Sequence, residues 1–184
     1  MLGVRLPQLR ALAKELARAG IWRLPTADDA YMEEIMLRGM LIGYAAKARL
    51  EERLCELEAF VPLISNWSVC DSCCTTYTFA RANREQVWNW LQPYLNSARE
   101  YEARFGVVML LNHFRQERTW AEAAAKALPQ IPACAYYAEM AIAWCACELI
   151  LHYPELKEAL MDELRPGINR LTHRKLRESF RTPR

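Results

Sequence analysis

The sequence predicts an all-α chain of HEAT-like antiparallel helical repeats forming a curved α-solenoid. Three observations predict it. Apolar residues recur at helical spacing along nearly the whole chain, while β-branched alternation and turn dipeptides such as Asn-Gly are absent. The expected helices are short, joined by brief connections, and arrive in pairs. Trp67, Arg104 and Trp144 fall in successive pairs, 37 and 40 residues apart, a period that suits stacked helix pairs. Stacking of this kind lines up equivalent helices along one concave face. A globular helical bundle is the alternative.

The elements follow in order. Pro7–Ala19 carries Leu9, Leu12 and Leu16 on one face, with proline in its first turn and Gly20 as a stop. Thr26 and Asp29 have the spacing of a capping box for a helix running to about Tyr44. Residues 48–60 place Leu50, Leu54, Leu57 and Phe60 together. Helices from about Trp67 to Phe79 and from Arg84 to about Leu95 come next. Ser97 with Glu100, and Thr119 with Glu122, read as capping boxes for helices ending at Phe114 and Leu128. Ala135–Leu151 is apolar nearly all round and is expected at the centre of the fold. Pro154–Leu164 and Ile168–Phe180 close the chain.

At 184 residues, the chain suits one domain, residues 1–184, with its own core. No apolar run approaches the ~20 residues that span a bilayer. No charged-then-apolar-then-small leader opens the sequence, so a cytoplasmic protein is expected. Seven cysteines, an odd number, fit free thiols in a reducing compartment. Cys70 and Cys73 form a Cys-x-x-Cys, but there is no second such pair, and His113, His152 and His173 do not cluster. No metal and no cofactor are expected, and the cysteines read as small apolar packing residues. The net charge of +2 conceals basic ends on an acidic body: residues 1–23 hold five Lys/Arg and one acid, and residues 165–184 hold seven and one. Such ends suit contact with a polyanion, or are two solvated helix faces.

One pair of residues points to chemistry. Trp67 and Asp71 are four apart, so a helix stacks an indole and a carboxylate on one face. Aspartate is a poor residue for an apolar helix, and burying its charge alone is costly. Asp71 therefore either serves a site or pairs with a cation such as Arg104. Trp22, Trp88, Trp90 and Trp120 read as packing residues.

Five blocks resemble the AlkD-type family of alkylpurine DNA glycosylases. They are Leu2-Gly3-Val4-Arg5-Leu6-Pro7-Gln8-Leu9-Arg10, Asn66-Trp67 with Cys70-Asp71, Arg104-Phe105-Gly106-Val107-Val108-Met109-Leu110, Met140-Ala141-Ile142-Ala143-Trp144, and Lys175-Leu176-Arg177-Glu178-Ser179-Phe180. They fall in the family's order and cover nearly the whole chain. The resemblance implies removal of cationic N3- or N7-alkylated purines from duplex DNA, without a deep pocket for the lesion. It places the catalytic carboxylate at Asp71 and the two active-site indoles at Trp67 and Trp144. Its helical arginine near the DNA backbone falls on Arg104, with Arg99 as the neighbouring alternative. Arg5, Arg10, Arg174, Lys175 and Arg177, with Lys14 and Arg18, are candidates for further phosphate contacts. The implied partner is alkylated double-stranded DNA, bound by a monomer without a membrane or cofactor. Family members carry an N-terminal helical hairpin before the Gly-Val-Arg-Leu-Pro block, whereas this chain opens at that block. A weaker grip on DNA and exposed apolar surface on the first helix are the expected consequences. A non-catalytic DNA-binding paralogue and a helical-repeat protein scaffold are the competing functions, because fold alone does not decide function.

Overall fold

The computed structural model of the chain describes residues 2–24, 31–132 and 135–179. Among them the regular structure is helical, without a strand, and no helix is long and apolar enough to cross a membrane. The chain divides into two compact units, Met1–Trp90 and Leu91–Arg184.

The first unit holds α1 (Leu6–Arg18), α2 (Met32–Tyr44), α3 (Leu50–Phe60) and α4 (Trp67–Cys74). It also takes in the start of α5 (Arg84–Leu95). α2 is its hub and packs on α1, α3 and α4. Two glycines one turn apart let the neighbours approach closely. A Cβ at Gly39 would lie 2.4 Å from the Phe60 ring and 2.6 Å from Cys73 Sγ. A Cβ at Gly43 would lie 2.0 Å from Thr76 Oγ1 and 2.8 Å from the Thr76 carbonyl oxygen. The Arg53 guanidinium donates to the Ala45 carbonyl beyond the end of α2 and lies 4.7 Å from the Phe79 ring centre. Burial of that cation lowers its pKa, so the carbonyl and the ring offset part of its lost hydration.

The second unit holds the end of α5, then α6 (Glu100–His113), α7 (Arg118–Ala127), α8 (Tyr136–His152), α9 (Lys157–Glu163) and α10 (Pro166–Glu178). α8 packs against both α6 and α10. That agrees with its being apolar nearly all round, and residues 141–143 and 145–147 are buried.

Several sequence expectations need correction. The helix expected over Trp67–Phe79 stops at Cys74. Thr75 Oγ1 donates to the Ser72 carbonyl (2.8 Å) and Thr76 Oγ1 to the Cys73 carbonyl (2.7 Å), so hydroxyls satisfy the groups a further turn would have used. Ser97 does not cap α6. Arg99 does, and Ser97 Oγ accepts from the Arg99 N–H (3.0 Å) while donating to Glu102 (2.7 Å). Thr119 lies inside α7, whose N-cap is Glu117. α10 begins two residues early, at Pro166, and Pro154–Leu156 form a 3-10 turn before α9. The box at Thr26 and Asp29 and the end at Phe180 lie outside the described residues. Capping occurs where no serine or threonine signalled it. Gln8, Glu34 and Glu52, each at the third helical position, accept the N-cap N–H of Arg5 (3.2 Å), Tyr31 (3.1 Å) and Arg49 (2.8 Å).

Thermal unfolding checks the glycine contacts. Gly43→Ala should lower stability by about 1–3 kcal/mol, the cost of overpacking a tight interior, because the Thr76 backbone cannot rotate aside. An unchanged midpoint would show that the packing of α2 against the end of α4 is loose.

Candidate functional site

α4 is short, and its burial pattern leaves one face to solvent. Asn66 starts it, with Oδ1 accepting from the Val69 N–H (3.0 Å). Val69, Cys70, Ser72, Cys73 and Cys74 are buried. Trp67, Asp71 and the following Thr75 recur every four residues on the other side. Trp67 is 52% exposed, Asp71 is half-buried and Thr75 is exposed. At 1.5 Å rise per residue, Trp67 and Asp71 stand about 6 Å apart along the axis.

One N-terminal base reaches this face: Arg10 Nη2 donates to Thr75 Oγ1 (3.3 Å). On α1, Arg10, Lys14 and Arg18 recur every fourth residue beside a shallow groove of about 610 Å³, also lined by Pro7, Ala11 and Glu15. Arg5 is exposed just before the helix. Leu2, Val4, Leu12 and Ile21 are exposed apolar residues around α1.

In the second unit, Trp144 is half-buried on a helix whose flanking residues are buried. It shares a face with Tyr137 and Met140 before it and Glu148 after it. Glu148 pairs with Arg115 Nη1 at 2.8 Å. Arg104 is only 5% exposed, and its Nη1 donates to the Tyr137 carbonyl at 2.7 Å. Its guanidinium therefore serves α8. Arg99, the alternative, is exposed and forms a 3.0 Å ion pair with Glu102. On α10, Ile168, Thr172 and Leu176 are buried, while Arg170, His173, Arg174 and Arg177 form an exposed face. Lys175 is half-buried. Arg170 opens the basic C-terminal segment, residues 170–184, expected to meet phosphates, and His173 joins that face. The four-residue and three-residue steps from 170 to 177 were the available signal.

The tryptophans read as packing residues, Trp22, Trp88, Trp90 and Trp120, are half-buried. Trp22 lies under the Arg23 guanidinium (4.1 Å), Trp90 Nε1 donates to Glu58 (3.0 Å), and Trp120 meets Phe114 edge-on (5.6 Å).

Among the described residues, no three His, Cys, Asp or Glu side chains are placed to hold a metal. Cys70, Cys73, Cys74, Cys145 and Cys147 are buried, and Cys55 is exposed. Burial pushes the Cys73 and Cys74 thiols well up and Cys145 up to about 12. These are packed thiols with little thiolate at neutral pH.

Residues 1–165 match the family model described as DNA alkylation repair enzyme. Trp67, Asp71, Arg104 and Trp144 lie inside that match, whereas Arg170, Arg174, Lys175 and Arg177 follow it. No curated protein and no solved structure matches the chain.

A thiol reagent tests the assignment of the cysteines. In a Cys134→Ser background, native protein should react rapidly at Cys55 alone, and the five buried thiols should react only in denaturant. Rapid native modification of Cys70 or Cys73 would contradict the packing role.

Proposed function

The chain belongs to the DNA alkylation repair enzyme family, and from that premise we propose that it is a glycosylase releasing cationic N3- or N7-alkylated purines from duplex DNA. The observation that carries the proposal is the solvent face of α4, where Trp67 and Asp71 stand one turn apart on a helix with five of its eight residues buried. An indole that is 52% exposed gains little from burial, and the half-buried Asp71 carboxylate stands at the edge of the apolar core.

The chemistry asks for these two groups. An alkylated purine of this kind carries a positive charge and leaves readily. The bond from its nitrogen to C1′ breaks with the electron pair going to the base, which becomes neutral. Positive charge develops on the deoxyribose, giving an oxocarbenium-like transition state. A fixed carboxylate beside that sugar stabilises the charge, as in glycoside hydrolysis. Water then adds at C1′ and loses a proton, leaving an abasic site and free alkylpurine. Asp71 is assigned the charge stabilisation and the orientation of that water. Trp67 offers the cationic substrate an aromatic face, a contact of about 0.5–2 kcal/mol. Trp144, on the second unit, is assigned a second aromatic contact with the DNA.

Phosphate contacts are assigned to the exposed cations Arg5, Lys14 and Arg18 and the half-buried Arg10 on the first unit. On the second unit they fall to Arg99, Arg174 and Arg177, with Lys175 at their edge. Exposure favours Arg99 over Arg104 for this role. A HEAT-like arrangement is part of the proposal. It is supported by alternate helices packing on one another in each unit, α2 on α4, α6 on α8 and α8 on α10, the pairing expected of stacked repeats.

Release of 3-methyladenine and 7-methylguanine from methylated duplex DNA tests the proposal. The wild-type chain should free cationic bases and leave the neutral base hypoxanthine in place. Duplex affinity should fall steeply with salt, and Arg174→Ala should reduce the log–log salt slope by about 0.9. Salt-sensitive binding without base release would mean a non-catalytic DNA-binding paralogue. No binding at low salt would point to a protein scaffold.

A further inference from the structure

Tyr137 is held at three points by residues of the first two turns of α6. It is the second residue of α8, and its N–H is one of those that a helix start leaves without an intrahelical partner. Glu100 Oε1 accepts that N–H at 2.7 Å. Arg104 Nη1 donates to the Tyr137 carbonyl at 2.7 Å. The Tyr101 ring stacks on the Tyr137 ring, with centroids 5.9 Å apart and planes 26° apart. Glu100 and Arg104 are one turn apart on α6, and Tyr101 lies between them in sequence. The negative group meets the positive end of the α8 dipole, which adds to its hold. Tyr136 packs edge-on against Tyr137 (5.1 Å) and is itself 61% exposed.

We propose that Arg104 is a positioning residue: with Glu100 and Tyr101 it clamps Tyr137 and so fixes the rotation of α8 that turns Trp144 to solvent. Tyr137 and Trp144 are seven residues apart, two turns on the same face. Neighbours on both sides of Trp144 are buried. Successive residues are about 100° apart around a helix, so rotating α8 carries the indole toward the core, and the clamp adds a directional hold to the resistance of the close-packed interior. Arg104 is poorly placed to serve DNA directly, because its nearly buried guanidinium already donates to a carbonyl. The clamp's effect on base release rests on the glycosylase reading, but its effect on Trp144 does not.

The test uses the full chain with Arg104→Met, Glu100→Ala and Glu100→Gln. The indole N–H resonance of Trp144, identified with Trp144→Phe, is followed by NMR. Arg104→Met and Glu100→Ala should both move it and leave the Trp67 indole in place. Glu100→Gln retains an acceptor for the Tyr137 N–H and should restore it. Duplex binding is measured in parallel. Arg104→Met should leave the salt slope at its wild-type value, whereas loss of a phosphate contact would reduce it by about 0.9. In single-turnover base release, the two disruptive variants should be slowed alike, by tenfold or more, within the ~10²-fold that a ~1 Å misplacement costs. Losses from removing opposite charges would agree in direction only if both act through the clamp. A reduced slope in Arg104→Met, or an unmoved Trp144 indole, overturns the proposal. If the wild-type chain releases no base, the glycosylase reading fails while the NMR result still decides the clamp.

Discussion

The tight packing of α4 on α2 governs the rest of the first unit. Five of the eight α4 residues are buried, so its rotation is fixed by packing, and the side left over is where Trp67 and Asp71 stand. Gly39 and Gly43 permit that approach, because neither position has room for a methyl group. Asn66 fixes where the helix begins, and the hydroxyls of Thr75 and Thr76 fix where it ends. Carboxylate and indole thus belong to a rigid element, which favours exact placement over what a loop provides.

The second unit meets the opposite difficulty. α8 is apolar nearly all round and packs against both α6 and α10, so hydrophobicity alone only weakly distinguishes one rotation from another. Polar contacts supply the missing register. Glu100 and Arg104 hold the first turn, and Arg115 pairs with Glu148 one turn beyond Trp144. Directional bonds at both ends specify what a uniformly apolar surface leaves open.

Much of this was legible in the sequence. The 3.6-residue recurrence of Leu9, Leu12 and Leu16, and proline and glycine punctuation, located the helices. The four-residue step from Trp67 to Asp71 located the exposed face. Capping was less legible, because the N-caps of α1, α2 and α3 are Arg5, Tyr31 and Arg49. The reciprocal bond comes from Gln8, Glu34 and Glu52. The end of α4 was missed because two threonines disfavour a helix only slightly, and their hydrogen bonds to carbonyls decided the matter. The placement of Arg104 was not legible at all. Its partner is a backbone carbonyl 33 residues on, and a carbonyl leaves no mark in the sequence. The family resemblance suggested a phosphate contact for that residue, whereas burial directs it to α8.

The central claim is that the negative charge at Asp71 speeds breakage of the bond between sugar and base. The most direct measurement is the single-turnover rate of 3-methyladenine release at saturating protein, wild type against Asp71→Asn, with duplex affinity measured on the same samples. Asparagine keeps the shape and removes the charge. The account predicts a rate lower by about 10²-fold or more with affinity unchanged or tighter, since a negative group near phosphates is gone. Asparagine working at the wild-type rate would contradict it.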